Sequence, residues 1–152
     1  MSVSDHDLIR NAIAHWPIAV DRADTNLLVE AFMPDAVIHY PAPVGTLHGI
    51  GGLEALLKTR LHGVTTYHCL GTQVIQLQSP ITATARTYCI GIHFYPGEPR
   101  RELRRIYGFF DDSLVKRSDG WRIAERKVIH TYEQMPSNGG ERLPEVQHAM
   151  RE

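Results

Sequence analysis

No apolar run in the sequence approaches the length of a membrane span, so nothing in it reads as a transmembrane helix. Positive charge is not in excess: 16 Lys and Arg stand against 17 Asp and Glu. A nucleic acid is therefore a poor partner, because phosphate binding needs a basic surplus. Cysteine is scarce. Cys69 and Cys89 show no metal-ligand spacing and are expected to be small buried thiols in a reducing compartment. The opening MSVSDHDLIRNAIAHW is amphipathic and acidic rather than signal-like, which points to a cytoplasmic protein. No Gly-x-Ser-x-Gly elbow occurs. Gly49-Ile50-Gly51-Gly52 follows no long strand and lacks the lysine of a phosphate loop.

What remains is one domain's worth of chain, 152 residues, with nine histidines. That length can bury a core without disulfides or metals. Residues 4 to about 22 read as a helix. Ser4 is its expected N-cap, and Leu8, Ile9, Ala12, Ile13, Trp16 and Val20 form an apolar stripe. Pro17 should kink it. A second short helix is capped by Asp24 or Thr25, has Leu27, Leu28 and Phe32 on one face, and ends at Pro34-Asp35. A strand from Ala36 to Tyr40 follows, then a turn-rich stretch from Gly45 to Gly52 and a third helix from Leu53 to Leu61.

The second half predicts four long strands, at 65–78, 81–95, 102–116 and 121–132, rich in Thr, Val, Ile, Tyr and Phe. Gln78-Ser79-Pro80, Pro96-Gly97-Glu98-Pro99 and Ser118-Asp119-Gly120 connect them, and such short links imply antiparallel pairing. The fold class is therefore α+β: three N-terminal helices on a curved, mixed but mainly antiparallel sheet, over residues 1–133. Residues 134–152 lose periodicity and read as a tail. Helices in the concavity of such a sheet leave a pocket for a small ligand.

Strand alternation gives each strand histidine a defined face. His68 and His93 lie mid-strand, and Ala85, Thr87, Cys89 and Gly91 share a face with His93. Those small neighbours leave room. His39 and His130 also fall in strands and His48 beside one, whereas His6, His15, His62 and His148 belong to helical or tail contexts at the surface. Asp21 ends the apolar stripe of the first helix, where a carboxylate needs a partner such as a histidine. Tyr40, next to His39, offers a hydroxyl on one face of the first strand. Asp21 with two histidines could form a metal triad, but no tight ligand spacing supports one.

Several segments resemble the SnoaL-like and NTF2-like superfamily: Asp21-Arg22-Ala23-Asp24, Ala31-Phe32-Met33-Pro34-Asp35-Ala36-Val37, Thr66-Tyr67-His68-Cys69-Leu70-Gly71 and Asp119-Gly120-Trp121-Arg122-Ile123. Within it the chain is similar to the scytalone dehydratase and bile-acid 7α-dehydratase group. The resemblance spans about residues 5 to 132. It implies a cone-shaped fold and a catalytic set of Asp21, Tyr40, His68 and His93, which occur in the order found in scytalone dehydratase. There the residue before the helix-one aspartate is tyrosine, and here it is Val20. The third long strand carries Ser and Asn there, and here Phe109-Phe110-Asp111-Asp112. Val20, Phe110 and Asp112 (or its neighbour Asp111) are thus the expected substrate contacts, and the substrate should differ from scytalone.

The resemblance implies a dehydratase or isomerase of a small cyclic or polyketide-like hydroxy-ketone that needs no cofactor or metal. His68 would be general base and acid, Asp21 its orienting partner, Tyr40 the carbonyl's hydrogen-bond donor, and His93 an aid to the leaving group. A polyketide cyclase would use the same groups. A non-catalytic role like that of a dioxygenase β subunit is the reading from another class. A homodimer or homotrimer is expected.

Overall fold

The computed structural model describes residues 3–95 and 103–135, together with the backbone of residues 141 and 142. Helix α1 spans Asp5–Arg22. Ser4 caps it, its hydroxyl oxygen accepting from the Asp7 amide at 3.2 Å. At its end Ala23 takes a left-handed φ of 51°, and the amides of Ala23 and Asp24 fold back onto the carbonyls of Val20 and Ala19. The helix runs through Pro17 to its expected end.

The second helix is shorter than expected. A 3₁₀ turn at Thr25–Leu27 leads into α2, Leu28–Ala31, and strand β1 begins at once, Phe32–His39. Phe32 and Pro34 therefore belong to the strand, not to the helix. Pro34 falls in the interval between Phe32 and Val37 where pairing to β6 is irregular, so its missing N–H interrupts no regular ladder. The turn-rich stretch contains a short strand, β2, Thr46–His48, antiparallel to β1. Helix α3 starts earlier than expected and covers Gly49–Thr59. Gly49 opens it with φ +66°, and a Cβ there would lie 2.7 Å from the Pro34 carbonyl oxygen, so only glycine fits.

The four long strands are β3 Thr65–Ser79, β4 Thr82–Phe94, β5 Leu103–Arg117 and β6 Gly120–Gln134. They form an antiparallel meander, and β1 adds to β6 in parallel, giving the order β2-β1-β6-β5-β4-β3. The predicted turn at residues 96–99 lies outside the described residues. So does most of the predicted tail, including His148, although a two-residue strand, β7, Glu141–Arg142, pairs back onto β6.

The α1 stripe of Ile9, Ile13, Trp16 and Val20 packs with Leu28, Phe32, Ile38, Leu53, Leu114, Trp121 and Ile123 into one core. Trp16 meets Phe32 edge-on at 5.7 Å between centroids. Asp5 ties the start of α1 to the sheet by accepting from Trp121 Nε1 and Lys116 Nζ. Among the described residues one ion pair is fully buried. Arg126 donates twice to Asp112, both at 2.7 Å, and lies over the rings of Phe110 and Phe32. Two surface expectations change. Cys69 is exposed and only Cys89 is buried, and His15 is half-buried with Nδ1 enclosed. No described helix is long and apolar enough to cross a membrane.

Candidate active site

Between α1, α3 and the inner face of the sheet lies a cavity of about 370 Å³. Trp16 and Val20 of α1, the loop 40–44, and Leu56 with Arg60 and Leu61 form its helical side. The sheet contributes His68 from β3, Cys89, Gly91 and His93 from β4, Ile106 and Phe110 from β5, and Val128 and His130 from β6. Most of this wall is apolar, so the few polar groups in it act in a poorly screened space.

Asp21 stands in the last turn of α1, where the helix dipole disfavours an anion. Strand β3 supplies the compensation. Its Oδ1 accepts from His68 Nδ1 at 2.7 Å and from the Thr66 hydroxyl at 2.8 Å, and its Oδ2 accepts from the His68 amide at 2.9 Å. Burial works to raise the Asp21 carboxyl, but the hydrogen bonds from the His68 ring, the His68 amide and Thr66 outweigh it and hold it below the usual carboxylate range. With Nδ1–H committed to Asp21, a neutral His68 carries its lone pair on Nε2. That atom faces the cavity, because a Cβ on Gly91 would lie 3.2 Å from it.

His93 also faces Gly91, with Nε2 at 3.7 Å from the same point, and its ring centroid is 5.8 Å from that of His68. Its Nδ1 is buried without a partner among the described residues. A proton there would be an unsatisfied buried donor, so the favoured tautomer carries it on Nε2, towards the cavity. Burial, the neighbouring His68 and Arg104 push His93 down to about 4, so it is a neutral imidazole at pH 7. The two rings thus differ in kind: a basic Nε2 on His68 and a donating Nε2–H on His93.

Tyr40 follows the end of β1 and lines the cavity, and burial raises its phenol above the ordinary value. His39 points the other way, to Glu125 and Thr46. Val20 and Phe110 line the cavity as expected. Asp112 does not. Its face was the inward one, but its carboxylate is consumed by Arg126 beneath the cavity wall, while Asp111 pairs outward with Arg86. Ala85 and Thr87 share the inner face with Gly91 but belong to the core, so the open space begins at Cys89.

Arg104 and His130 line the cavity and were not singled out from the sequence. Arg104 is the cross-strand partner of His93, and His130 that of Gly108. Burial and the Arg104 charge push His130 down to about 4. The available signal was a third strand histidine in phase with the inward face of the last strand. Burial also pushes the Cys89 thiol up to about 12, which leaves it no nucleophilic role at neutral pH. Among the described residues no group of three or more His, Cys, Asp or Glu is placed to hold a metal ion.

Comparison with known proteins agrees with this architecture. The sequence profile of the SnoaL-like domain matches residues 1–127. An uncharacterised protein of Mycobacterium tuberculosis is 28% identical over 138 residues, covering 88% of this chain and 90% of that one. A type 2 hexachlorocyclohexane dehydrochlorinase, LinA, superposes with a TM-score of 0.77 at 16% identity, over 91% of this chain and 93% of its own. A Novosphingobium aromaticivorans protein provisionally assigned as a scytalone dehydratase gives 0.74 at 21% identity, over 86% of each chain.

Proposed function

We propose that this chain, which belongs to the SnoaL-like domain family, is a dehydratase or isomerase of a small cyclic or polyketide-like hydroxy-ketone, working by histidine acid–base catalysis. One observation carries this reading: Asp21 clamps His68 so that Nε2, without a hydrogen-bond partner among the described residues, faces an apolar cavity sized for a small molecule. The dehydrochlorinase and the provisionally assigned dehydratase that share the fold support it by their names, since both names describe loss of a group and a neighbouring proton.

In the proposed reaction His68 Nε2 takes a proton from the carbon α to the carbonyl. Asp21 stabilises the imidazolium that results, as a carboxylate does for a charged partner at 2.7 Å. The Tyr40 hydroxyl meets the carbonyl oxygen as negative charge develops there. The C–O bond to the β-hydroxyl then breaks, His68 returns its proton to that oxygen, and water leaves with an enone. His93 Nε2–H supports the departing oxygen. Delivery of that proton to a different carbon of a conjugated enolate instead gives the isomerase outcome, using the same groups.

The test is exchange and elimination with bicyclic β-hydroxyketones in D₂O. Wild-type protein should exchange the α-proton and form the enone. His68→Gln should keep its fold and lose about 10² to 10⁴ in rate. Equal turnover in the variant would remove His68 from the reaction.

A further inference from the structure

The cavity has a second polar wall, of which the reaction above uses only His93. His93 on β4 and Arg104 on β5 are cross-strand partners, and His130 reaches the cavity from β6. Glu133 fixes the guanidinium: Arg104 Nε and Nη2 donate to its two carboxylate oxygens at 2.6 and 2.9 Å. That bond and the Tyr95 phenol hold Arg104 firmly charged. A guanidinium has five N–H groups, more than these two partners can use. Both Glu133 oxygens are committed to Arg104, and the His130 ring makes no hydrogen bond among the described residues. The wall therefore carries an excess of donors: the spare guanidinium N–H groups and His93 Nε2–H, beside one N–H and one lone pair on the neutral His130 ring. A ligand that matches it must bring acceptors.

We propose that this wall is an oxyanion subsite, in which Arg104, flanked by His93 and His130, receives a carboxylate of the substrate. It refines the acid–base reading by naming the substrate class, a small hydroxy-keto acid, and rests on that reading for the reaction but not for the binding. A guanidinium with one edge clamped presents its other donors in a fixed plane, the geometry that suits a carboxylate. His93 lies between the two functions, beside His68 on one side and laddered to Arg104 on the other. The anion is then held near the reacting carbon, which orients it for His68. Arg104 also accounts in part for the depressed imidazoles. An anion seated among the three groups offsets that charge and favours protonation of both rings.

The experiment is a binding comparison with benzoate and its neutral analogue benzamide, by calorimetry at pH 7. Wild-type protein should prefer benzoate by about tenfold or more, the scale of one charge-assisted hydrogen bond. The charge-conserving double variant Arg104→Gln/Glu133→Gln should lose that preference while still binding benzamide. Equal affinity for the two probes in wild type, or a benzoate preference that survives in the double variant, overturns the proposal. Should the double variant not fold, wild-type protein alone decides by NMR with benzenesulfonate, which stays anionic at low pH. The titration midpoints of His93 and His130 should rise from about 4 when it binds, and unchanged midpoints overturn the subsite. A protein that selects benzoate but exchanges no α-proton would sink the reaction while keeping the subsite.

Discussion

Lowering the pH from 7 to 5 should weaken the fold through two imidazoles that the cavity wall keeps neutral. Burial holds His93 and His130 at about 4, against an ordinary value of 6.5. Below pH 6.5 the unfolded chain therefore binds protons that the folded chain refuses until about pH 4. The unfolded state holds more protons across that window, so stability rises with pH there and falls as the solution is acidified. Between pH 7 and 5 each ring gives up about 2 kcal/mol, and the pair about 4 kcal/mol, as an upper bound set by residual solvent screening. An ordinary domain has about 5 to 15 kcal/mol in all, so the loss is easily seen. Asp21 acts in the same direction but lower on the scale. Its contribution is present above the ordinary carboxylate value of 3.8 and is lost as pH falls through its depressed folded value, outside this window. The assay is urea denaturation at pH 7, 6 and 5, for wild type and for His93→Gln/His130→Gln. The wild-type free energy should fall with pH and the variant's slope should be clearly flatter. A flat wild-type profile, or an undiminished slope in the variant, would refute the reasoning.

Two further expectations test other parts of the molecule. Gly91→Ala places a methyl group 3.2 Å from His68 Cδ2 and Nε2, and His68 cannot yield without stretching its 2.7 Å bond to Asp21. Its kcat should drop about tenfold to a hundredfold with the circular dichroism unchanged, and an undiminished kcat would show that the glycine does not set the ring position. On the sheet face opposite the cavity, Tyr67, Val74, Tyr88 and Ile90 are exposed together. We propose that they bury against a second copy of the chain, as a homodimer or homotrimer. Light scattering should give a multiple of the single-chain mass that Ile90→Lys reduces, and a wild-type monomer would reject the idea.

How far the sequence could be read depended on whether a partner lay within one element or across several. The stripe of α1 and the alternation of β3 and β4 are local, and they were enough to bring Asp21, His68 and His93 forward. Asp21 was conspicuous because a carboxylate beside a buried stripe at a helix end has no local compensation. Pro34 misled for the opposite reason. Its residue type argued for a helix end, but the chain had entered β1 two residues earlier, and the proline is tolerated where the β1–β6 register shifts. Alternation left open whether Asp111 or Asp112 faces inward, and the fate of Asp112 depended on Arg126, one strand over at a register no local pattern gives.

The same limit explains why the second wall stayed hidden. Arg104 reaches the cavity only because His93 pairs with it across β4 and β5. His130 is set opposite Gly108 by a register shift between Tyr107 and Gly108. A Cβ on Gly108 would sit on the Ile129 carbonyl, so glycine is required for that close approach. The acid–base couple is built from one helix end and one strand, and the proposed anion wall from three strands in register. Changes of register in β5 would therefore alter what the cavity binds while leaving the Asp21–His68 couple in place. On this scaffold, the chemistry can persist while the substrate changes.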